Sequence, residues 1–429
     1  MGQKTAVAYG DPSAVKLQAA GLFAGSMQRP TTMNRLVGPM PKMAEAESKT
    51  RLQSPASYPI VQCRDFGKGS GDEVKFDFVN PVNAKPIMGD KKAEGRGTGV
   101  ALSNSSIRVN QARFPVDLGS VMTQVRSPHD LRRLGRPIAQ SLMDRYMDQS
   151  YLVHLAGARG FHNNVEWVVP LASDGDFSDI MVNTVKAPTK NRHYMSTGSG
   201  ITPFAVSSGE IALASTSVFN KDIVNDTRTL LESIALPPAP VIFDNDEAAY
   251  DSPTRVLLVS PAQFAAFSKD SSFRTYQANA LARAQRAKMH PLFAGQTSAL
   301  WNGILVVQMP KPIRFYAGDT ISYSGSYTSE AESTCVVPSS FSGAKCAVDR
   351  AILLGGQALA HGLAAHPKSG APYFWSEMEM DHGNSLELLL GAIHGTGKVR
   401  FSVDMGDSKQ FTDIGVTVID TAVNLTSEA

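Results

Sequence analysis

Three cysteines in 429 residues, Cys63, Cys335 and Cys346, lie far apart and are odd in number. No CxxC pair occurs, so neither a structural zinc site nor a disulfide framework is supported. Reduced thiols in a cytosolic protein are the expectation. Charge of one sign is equally scarce. The 41 Lys and Arg nearly balance the 39 Asp and Glu, leaving a formal net charge of +2. That gives no general pull on nucleic acid or on a membrane surface. Aromatics make up 8% and are not interleaved with basic patches, which argues against sequence-specific reading of nucleic acid. No apolar run approaches the ~18 residues of a membrane span, and the N-terminus lacks the charged-then-apolar pattern of a signal peptide. Ala6 stands where a myristoylation signal needs Ser or Thr. No internal repeat or sustained heptad is present. With 42% hydrophobic and 19% charged residues the composition is that of a globular chain, and its length allows two or three core-bearing units.

What is present is organised around residues 127–160. Ser127 is suited to an N-cap, Pro128 to the first helical position and Asp130 to a capping-box acid. At about 100° per residue, Leu131, Leu134, Ile138, Leu142, Tyr146, Leu152, Val153 and Ala156 share one arc. Arg132, Arg133, Arg136, Gln140, Asp144 and Asp148 lie opposite. Arg145 and Gln149 interrupt the apolar arc, while Met143, Met147 and Leu155 fall outside it. Pro137 is expected to kink the helix or to mark its true start, and Gly157 and Gly160 can end it. An uninterrupted helix over 128–156 would be roughly 44 Å long, a rod suited to a scaffold rather than to an active site.

Residues 1–60 read as an arm. Six prolines (Pro12, Pro30, Pro39, Pro41, Pro55, Pro59) forbid a packed sheet, one helix is expected over 12–23, and Leu36 and Met40 are among the apolar residues that need a surface to lie on. Residues 60–118 read as a long β-hairpin. Residues 73–79 and 107–111 alternate, both faces are mostly polar, and the tip between them is Gly-rich and charged. Residues 160–220 are rich in Gly, Ser, Asn and Asp and read as an irregular insertion. A helix over 221–235 stops at Pro237-Pro238. From 240 to about 363 the pattern is mixed α/β. It has a buried-type strand at 255–259, Ser260-Pro261 opening helices that run on to Met289, an Asn302-Gly303 turn and a strand at 304–307. Residues 351–364 are small and apolar enough for a tightly packed helix. Strands are expected at 386–393, 398–403 and 414–419.

Candidate chemistry is thin. His361, His366, Glu377, Glu379, Asp381, His382 and His394 crowd the late chain, but their spacing fits no HExxH-type pattern. Asp174, Asp176 and Asp179 resemble half a calcium loop without its Gly or its closing Glu. Gly395-Thr396-Gly397-Lys398 lacks the first Gly and the Ser/Thr of a phosphate loop and reads as a hairpin turn. No GxSxG elbow or Cys/His nucleophile pair occurs. No cofactor and no metal are expected.

The order of parts, together with a set of short signatures, resembles the HK97-like fold of tailed-bacteriophage major capsid proteins, and in particular their N4-gp56-like (phage capsid and scaffold) branch. The signatures begin with FPVDLGSVMTQVR at Phe114, the helix ending LAGARG at Gly160, Phe273-Arg274, LFAG (292–295) and WNG (301–303). They continue with DRAILLGGQALAHG (349–362), FWSEMEMDHGN (374–384), LLGAIHGTGKVRF (389–401) and DIGVTVIDTAV (413–423). The resemblance implies an α+β chain divided into an N-terminal arm (1–60), an extended β-hairpin or E-loop (61–118), a peripheral domain (119–236), an axial α/β domain (237–370) and returning peripheral strands (371–429). The peripheral domain would hold the spine helix (128–157) and the insertion (160–220).

It further implies a structural protein rather than an enzyme, forming hexamers and pentamers of an icosahedral head around double-stranded DNA held without sequence-specific contacts. Portal and scaffold proteins, and a decoration protein, would be the further partners. Assembly would take place in the host bacterial cytoplasm, the product would be the virion, and no membrane would be involved. Lys85, Lys91, Lys92 and Arg96 on the hairpin tip, with Arg132, Arg133 and Arg136 on the helix, are the expected inter-subunit contacts. Two rival readings are an encapsulin-like nanocompartment shell and a soluble metal-dependent enzyme built on the late His/Asp/Glu residues.

Overall fold

The computed structural model describes residues 36–40, 53–66, 72–79, 85–97, 99–100, 102–121, 131–162, 166–243, 253–269, 298–367, 370–404 and 408–425. The helix expected over 12–23, the Ser127–Asp130 cap and, after Lys269, the helices expected to run on to Met289 lie outside these residues.

The strands are β1 (Ile60–Phe66), β2 (Glu73–Val79), β3 (Leu102–Arg108), β4 (Asn110–Ser120), β5 (His193–Ser196), β6 (Ile201–Pro203), β7 (Val206–Ser207), β8 (Glu210–Ile211), β9 (Arg255–Val259), β10 (Ser298–Trp301), β11 (Ile304–Gln308), β12 (Arg314–Phe315), β13 (Thr320–Ser324) and β14 (Glu332–Val336). They continue with β15 (Cys346–Leu354), β16 (Leu359–Ala364), β17 (Tyr373–Met380), β18 (Ser385–Lys398), β19 (Arg400–Asp404), β20 (Lys409–Asp413) and β21 (Val416–Asn424). The helices are α1 (Leu131–Ala156), α2 (Phe177–Met181), α3 (Lys221–Ser233), α4 (Pro261–Ser268) and α5 (Ser340–Gly343).

Two sheets carry most of the fold. One has the order β1-β16-β18-β17, with β4 also paired to β18; the other runs β10-β11-β9-β15-β21-β5-β6, with β12 beside β15. The second is buried on both faces, and its residues sort by parity. Val256, Leu258, Leu305, Val307, Ile352, Leu354 and Val418 join the large core beneath α1. Their neighbours Leu257, Val259, Ile304, Val306, Leu353 and Ile419 join a second core beneath α3 and α4. Continuous apolar runs are the pattern of strands covered on both sides.

That double burial explains one departure from expectation. Residues 351–364 are not a helix but the end of β15 followed by β16. A run buried on both faces has no diagnostic period, and the break falls at Gly355-Gly356. A Cβ on Gly355 would collide with the carbonyl oxygen of Ala239, and one on Gly356 would lie 2.9 Å from that of Ala56. The chain therefore turns a tight corner between the sheets where a helix would not fit.

α1 runs through Pro137, and its buried stripe is rotated from the expected arc. Ala139, Met143, Tyr146, Met147 and Ser150 are buried, while Ile138 is 51% exposed. From Gln149 to Ala156 every residue is buried, so that half carries no phase and misleads a single helical wheel. Gln149, which interrupted the arc, is buried for its amide. Its Oε1 accepts from Val168 N (2.7 Å) and Val169 N (3.2 Å), and its Nε2 donates to Glu166 O (3.1 Å).

Other local expectations hold. Ser260 and Gln263 form a capping box at α4, α3 ends four residues before Pro237, and Asn302 and Gly303 sit at φ 45° and 76°, as a type I′ turn between β10 and β11 requires. Residues 160–220 are mostly irregular, yet β5 within them pairs parallel with β21 in the double-buried sheet.

Candidate functional site

The hairpin strands β2 and β3 pair antiparallel from Glu73↔Arg108 to Val79↔Leu102. β1 and β4, which flank them in sequence, pair instead with β16 and β18. The hairpin is not polar on both faces. Val74, Phe76, Phe78 and Ile107 face the body and pack against Val399, Phe401 and Val403, with Phe78 and Phe401 stacked at 5.1 Å. The partner that makes this face apolar is Phe401 on β19, more than 300 residues after Phe78, which strand alternation does not reveal.

The root of the hairpin is clamped. Asn183 accepts from Arg108 N and donates to the carbonyls of Arg108 and Thr396, each at 2.9 Å. The Gly395-Thr396-Gly397-Lys398 run, expected as a turn, is the end of strand β18. Its glycines make room for the root, since a Cβ on Gly395 would collide with Arg108 O and one on Gly397 would lie 2.7 Å from Ile107 Cγ2. Gly395→Ala is expected to destabilise the chain by about 1–3 kcal/mol, the usual cost of overpacking. Limited proteolysis should show faster cleavage in 85–97; an unchanged melt and cleavage rate would contradict this account of the root.

The stem stays on the body as far as Phe78 on Phe401 and Ser103, whose hydroxyl donates to Ser402 O, and beyond that the hairpin is mostly exposed. Val79 and Leu102, paired at the end of the stem, are 61% and 68% exposed, and Val100 and Met88 are 62% and 71% exposed. Lys85, Lys91, Lys92 and Arg96 are all exposed around them, Lys92 pairing with Glu94 at 2.7 Å. Sequence reading singled out the cations and missed the apolar residues. Val79 was the available signal, because it falls on the solvent side of the alternation that turns Phe76 and Phe78 inward.

The helix arginines behave differently. Arg136 is held within the chain, 2.8 Å from Glu377 and over the Trp375 ring at 4.5 Å. Arg132 and Arg133 lie in the first turn of α1, and their side chains are outside the described residues.

The late His/Asp/Glu residues are dispersed. His361 and His394 are buried beneath α1, while Asp381 and His382 are exposed at the turn between β17 and β18. Glu377 is taken by Arg136, and His366 stacks on Phe374 at 4.5 Å. Among the described residues no group of three or more His, Cys, Asp or Glu is placed to hold a metal ion, and no helix is long and apolar enough to cross a membrane. The buried ionic groups are structural in position. Arg350 forms a two-point pair with Asp420 at 2.8 and 2.9 Å and donates to Ala156 O at the end of α1 (3.0 Å). Arg314 pairs with Asp349 at 2.7 and 2.9 Å. Asp413 meets Lys398 at 2.9 Å and Arg400 at 2.8 Å. Burial alone would raise Asp413, but the two cations hold it at about 2; burial brings Lys398 down to about 8 against the pull of Asp413.

The model of a family described as phage capsid protein matches residues 6–425. The chain belongs to that family. No curated protein sequence matches it. Among solved structures it is similar to the capsid protein of Ralstonia phage GP4 at 19% identity, with 98% of this chain and 99% of that chain covered and a TM-score of 0.67. It is also similar to the Cyanophage Pam1 capsid protein at 12% identity, 86% and 89% coverage and a TM-score of 0.57. The capsid protein of Helicobacter pylori bacteriophage KHP30 follows at 11% identity, the same coverages and a TM-score of 0.53. The fold of this phage capsid family member is the HK97-like one, a mixed α+β architecture rich in strands.

Proposed function

We propose that this chain is the shell subunit of a phage head, assembling into hexamers and pentamers that close into an icosahedral shell enclosing double-stranded DNA. The observation that carries the reading is the hairpin. Its root is glycine-fitted and clamped to the body, while Val79, Met88, Val100 and Leu102 stand exposed at its far end. A rooted stem with an apolar end has its cover on another molecule. A closed shell needs a rigid wedge that repeats by rotation and a reaching element that bridges copies. The double-buried sheet and α1 supply the first and the hairpin supplies the second. Shell subunits bury about 2,000–5,000 Å² or more in obligate assemblies, so short arms alone would not suffice. The proposed division is an arm (1–60), a hairpin unit (61–118), a peripheral unit with α1 (119–236), an axial unit (237–370) and returning strands (371–429).

In this reading Lys85, Lys91, Lys92 and Arg96, with Arg132 and Arg133, face neighbouring subunits. Arg136 acts there only through the part its pair with Glu377 leaves exposed. Portal, scaffold and decoration proteins are the further partners. Assembly takes place in the host cytoplasm and the product is the virion capsid. The near-neutral charge suits a wall that encloses DNA without trapping it.

Sedimentation of the expressed chain, with negative-stain microscopy of the fastest fraction, tests the reading. Rings or hollow shells are expected; a monomer or dimer that stays so in the presence of a crowding agent would overturn it. In the same assay Lys91→Glu with Lys92→Glu is expected to lower the assembled fraction about tenfold through like-charge mismatch, with the melting temperature of the subunit unchanged. Normal assembly of that variant would remove the tip cations from the contact.

A further inference from the structure

A cleft of about 450 Å³ lies between the hairpin stem and the body, within the roughly 300–1,000 Å³ of small-molecule sites. One wall is β3, whose Ser103 and Ser105 pair with Phe78 and Phe76 and share their body-facing side. The other is the side of the β19–β20 ribbon on which Arg400, Ser402 and Lys409 fall together. Lys186 and Glu330 complete the charged lining, which holds three cations against one carboxylate. The Arg400 side chain is only 4% exposed, that of Lys186 is 43% exposed, and Lys409 is exposed. The guanidinium therefore lies deep and the two ammonium groups stand at the mouth. Asp413 does not cancel the excess, because Arg400 shares it with Lys398. Glu330 marks where an anionic oxygen sits. Its Oε1 accepts from Lys186 Nζ at 2.8 Å and from Arg400 Nη1 at 3.5 Å. The second contact is at the limit of a hydrogen bond, and Lys409 has no ion-pair partner among the described residues.

We infer that this cleft binds a small phosphate-class polyanion, its phosphoryl oxygens lying between Arg400, Lys186 and Lys409 with the Ser105 hydroxyl beside them. A guanidinium offers phosphoryl oxygens a planar fork, and an ammonium adds charge without a fixed geometry. Partial enclosure strengthens both, since charges away from bulk water are screened less. A single carboxylate answers these cations one or two at a time, as Glu330 does; a polyanion answers all three. Bound there, the anion ties β3 to the β19–β20 ribbon and to the Lys186 and Glu330 segments, a staple along the hairpin stem. Binding needs only one copy of the chain and so stands apart from the bridging role of the hairpin.

Equilibrium dialysis of the full chain against labelled pyrophosphate tests the site, at constant ionic strength set with sodium chloride and without divalent metal. Saturable binding of one pyrophosphate per chain is expected. Lys409→Ala is expected to weaken that binding about tenfold, the size of one charge-assisted hydrogen bond, with the melting temperature of the ligand-free chain unchanged. Glu330→Gln removes the competing carboxylate and is expected to tighten binding by a similar factor, which a purely structural Lys186–Glu330 pair would not do. A short DNA duplex at equal phosphate is expected not to compete, because Arg400 lies inside the cleft. No saturable binding, or binding that both variants leave unchanged, would overturn the site. A duplex that displaces pyrophosphate at equal phosphate would overturn the small anion as its ligand.

Discussion

Asp420→Ala is expected to cost about 3–5 kcal/mol of stability, the usual penalty for removing one partner of a buried ion pair. Asp420 and Arg350 are fully buried and joined by two short contacts, and His193 Nε2 lies 2.8 Å from the same carboxylate. Burial alone would raise the Asp420 pKa, but Arg350 and His193 hold it well below the usual carboxylate range. Without the carboxylate, Arg350 keeps its bond to Ala156 O, its approach to His193 and its place over the Phe315 ring at 5.2 Å, and its guanidinium remains buried without the Asp420 counter-charge. Since a domain's net stability is about 5–15 kcal/mol, a loss of this size removes a large share of it. The measurement is a urea titration of the unassembled subunit, or soluble yield where the variant does not accumulate. A midpoint within about 0.5 kcal/mol of the parent, the range of ordinary surface changes, would show that the pair does not join α1 to the sheet energetically.

The second large effect is acid lability. His154, His361 and His394 lie buried between α1 and the β16–β18 sheet. Burial lowers His154 and His394 to about 4 and His361 well below its ordinary value. The groups facing them are Tyr146 and Tyr151 from α1, His361 and His394 from each other's strands, Met181 O beside His154, and the Lys398 ammonium and Arg64 guanidinium, which oppose a further positive charge. Each folded-state value lies below the unfolded one near 6.5. The stability these groups contribute is therefore present above pH 6.5 and is lost as pH falls from there towards 4.

At about 1.36 kcal/mol per pKa unit, His154 and His394 each account for a loss on the order of 3 kcal/mol by pH 4. Asp413, whose folded value is about 2, acts in the same direction but over a lower window, below the ordinary carboxylate range. His394→Phe keeps a ring beside Tyr146 and removes one titrating group. It is expected to flatten the melting temperature between pH 6.5 and 4 while changing it little at pH 8. A profile as steep as the parent's would assign the acid loss to other groups.

Elements with local causes were legible in the amino-acid sequence. The Ser260 capping box, the Asn302-Gly303 turn, the β-branched strands around 255–259 and 416–423, and the helix through 131–156 all follow from cap chemistry, turn chemistry and period. The run of signatures from Phe114 to Val423 carried the capsid resemblance, and the hairpin was readable from its alternation. Features that depend on burial from both sides, or on residues far apart in the chain, emerged only with the packed fold, where long-range contacts set the outcome. Packing made 351–364 two strands across the Gly355-Gly356 corner, which the sequence hid because a doubly covered run has no period. It rotated the buried stripe of α1, because the half after Gln149 is enclosed all round. It turned one hairpin face apolar by setting Phe401 against Phe78. It also divided the late histidines and carboxylates between a dry interface and an exposed turn, and so left no shared site among them. Proximity in sequence cannot foretell that division, because the 14 residues of β18 run from the exposed turn at Asp381-His382 to the buried Lys398.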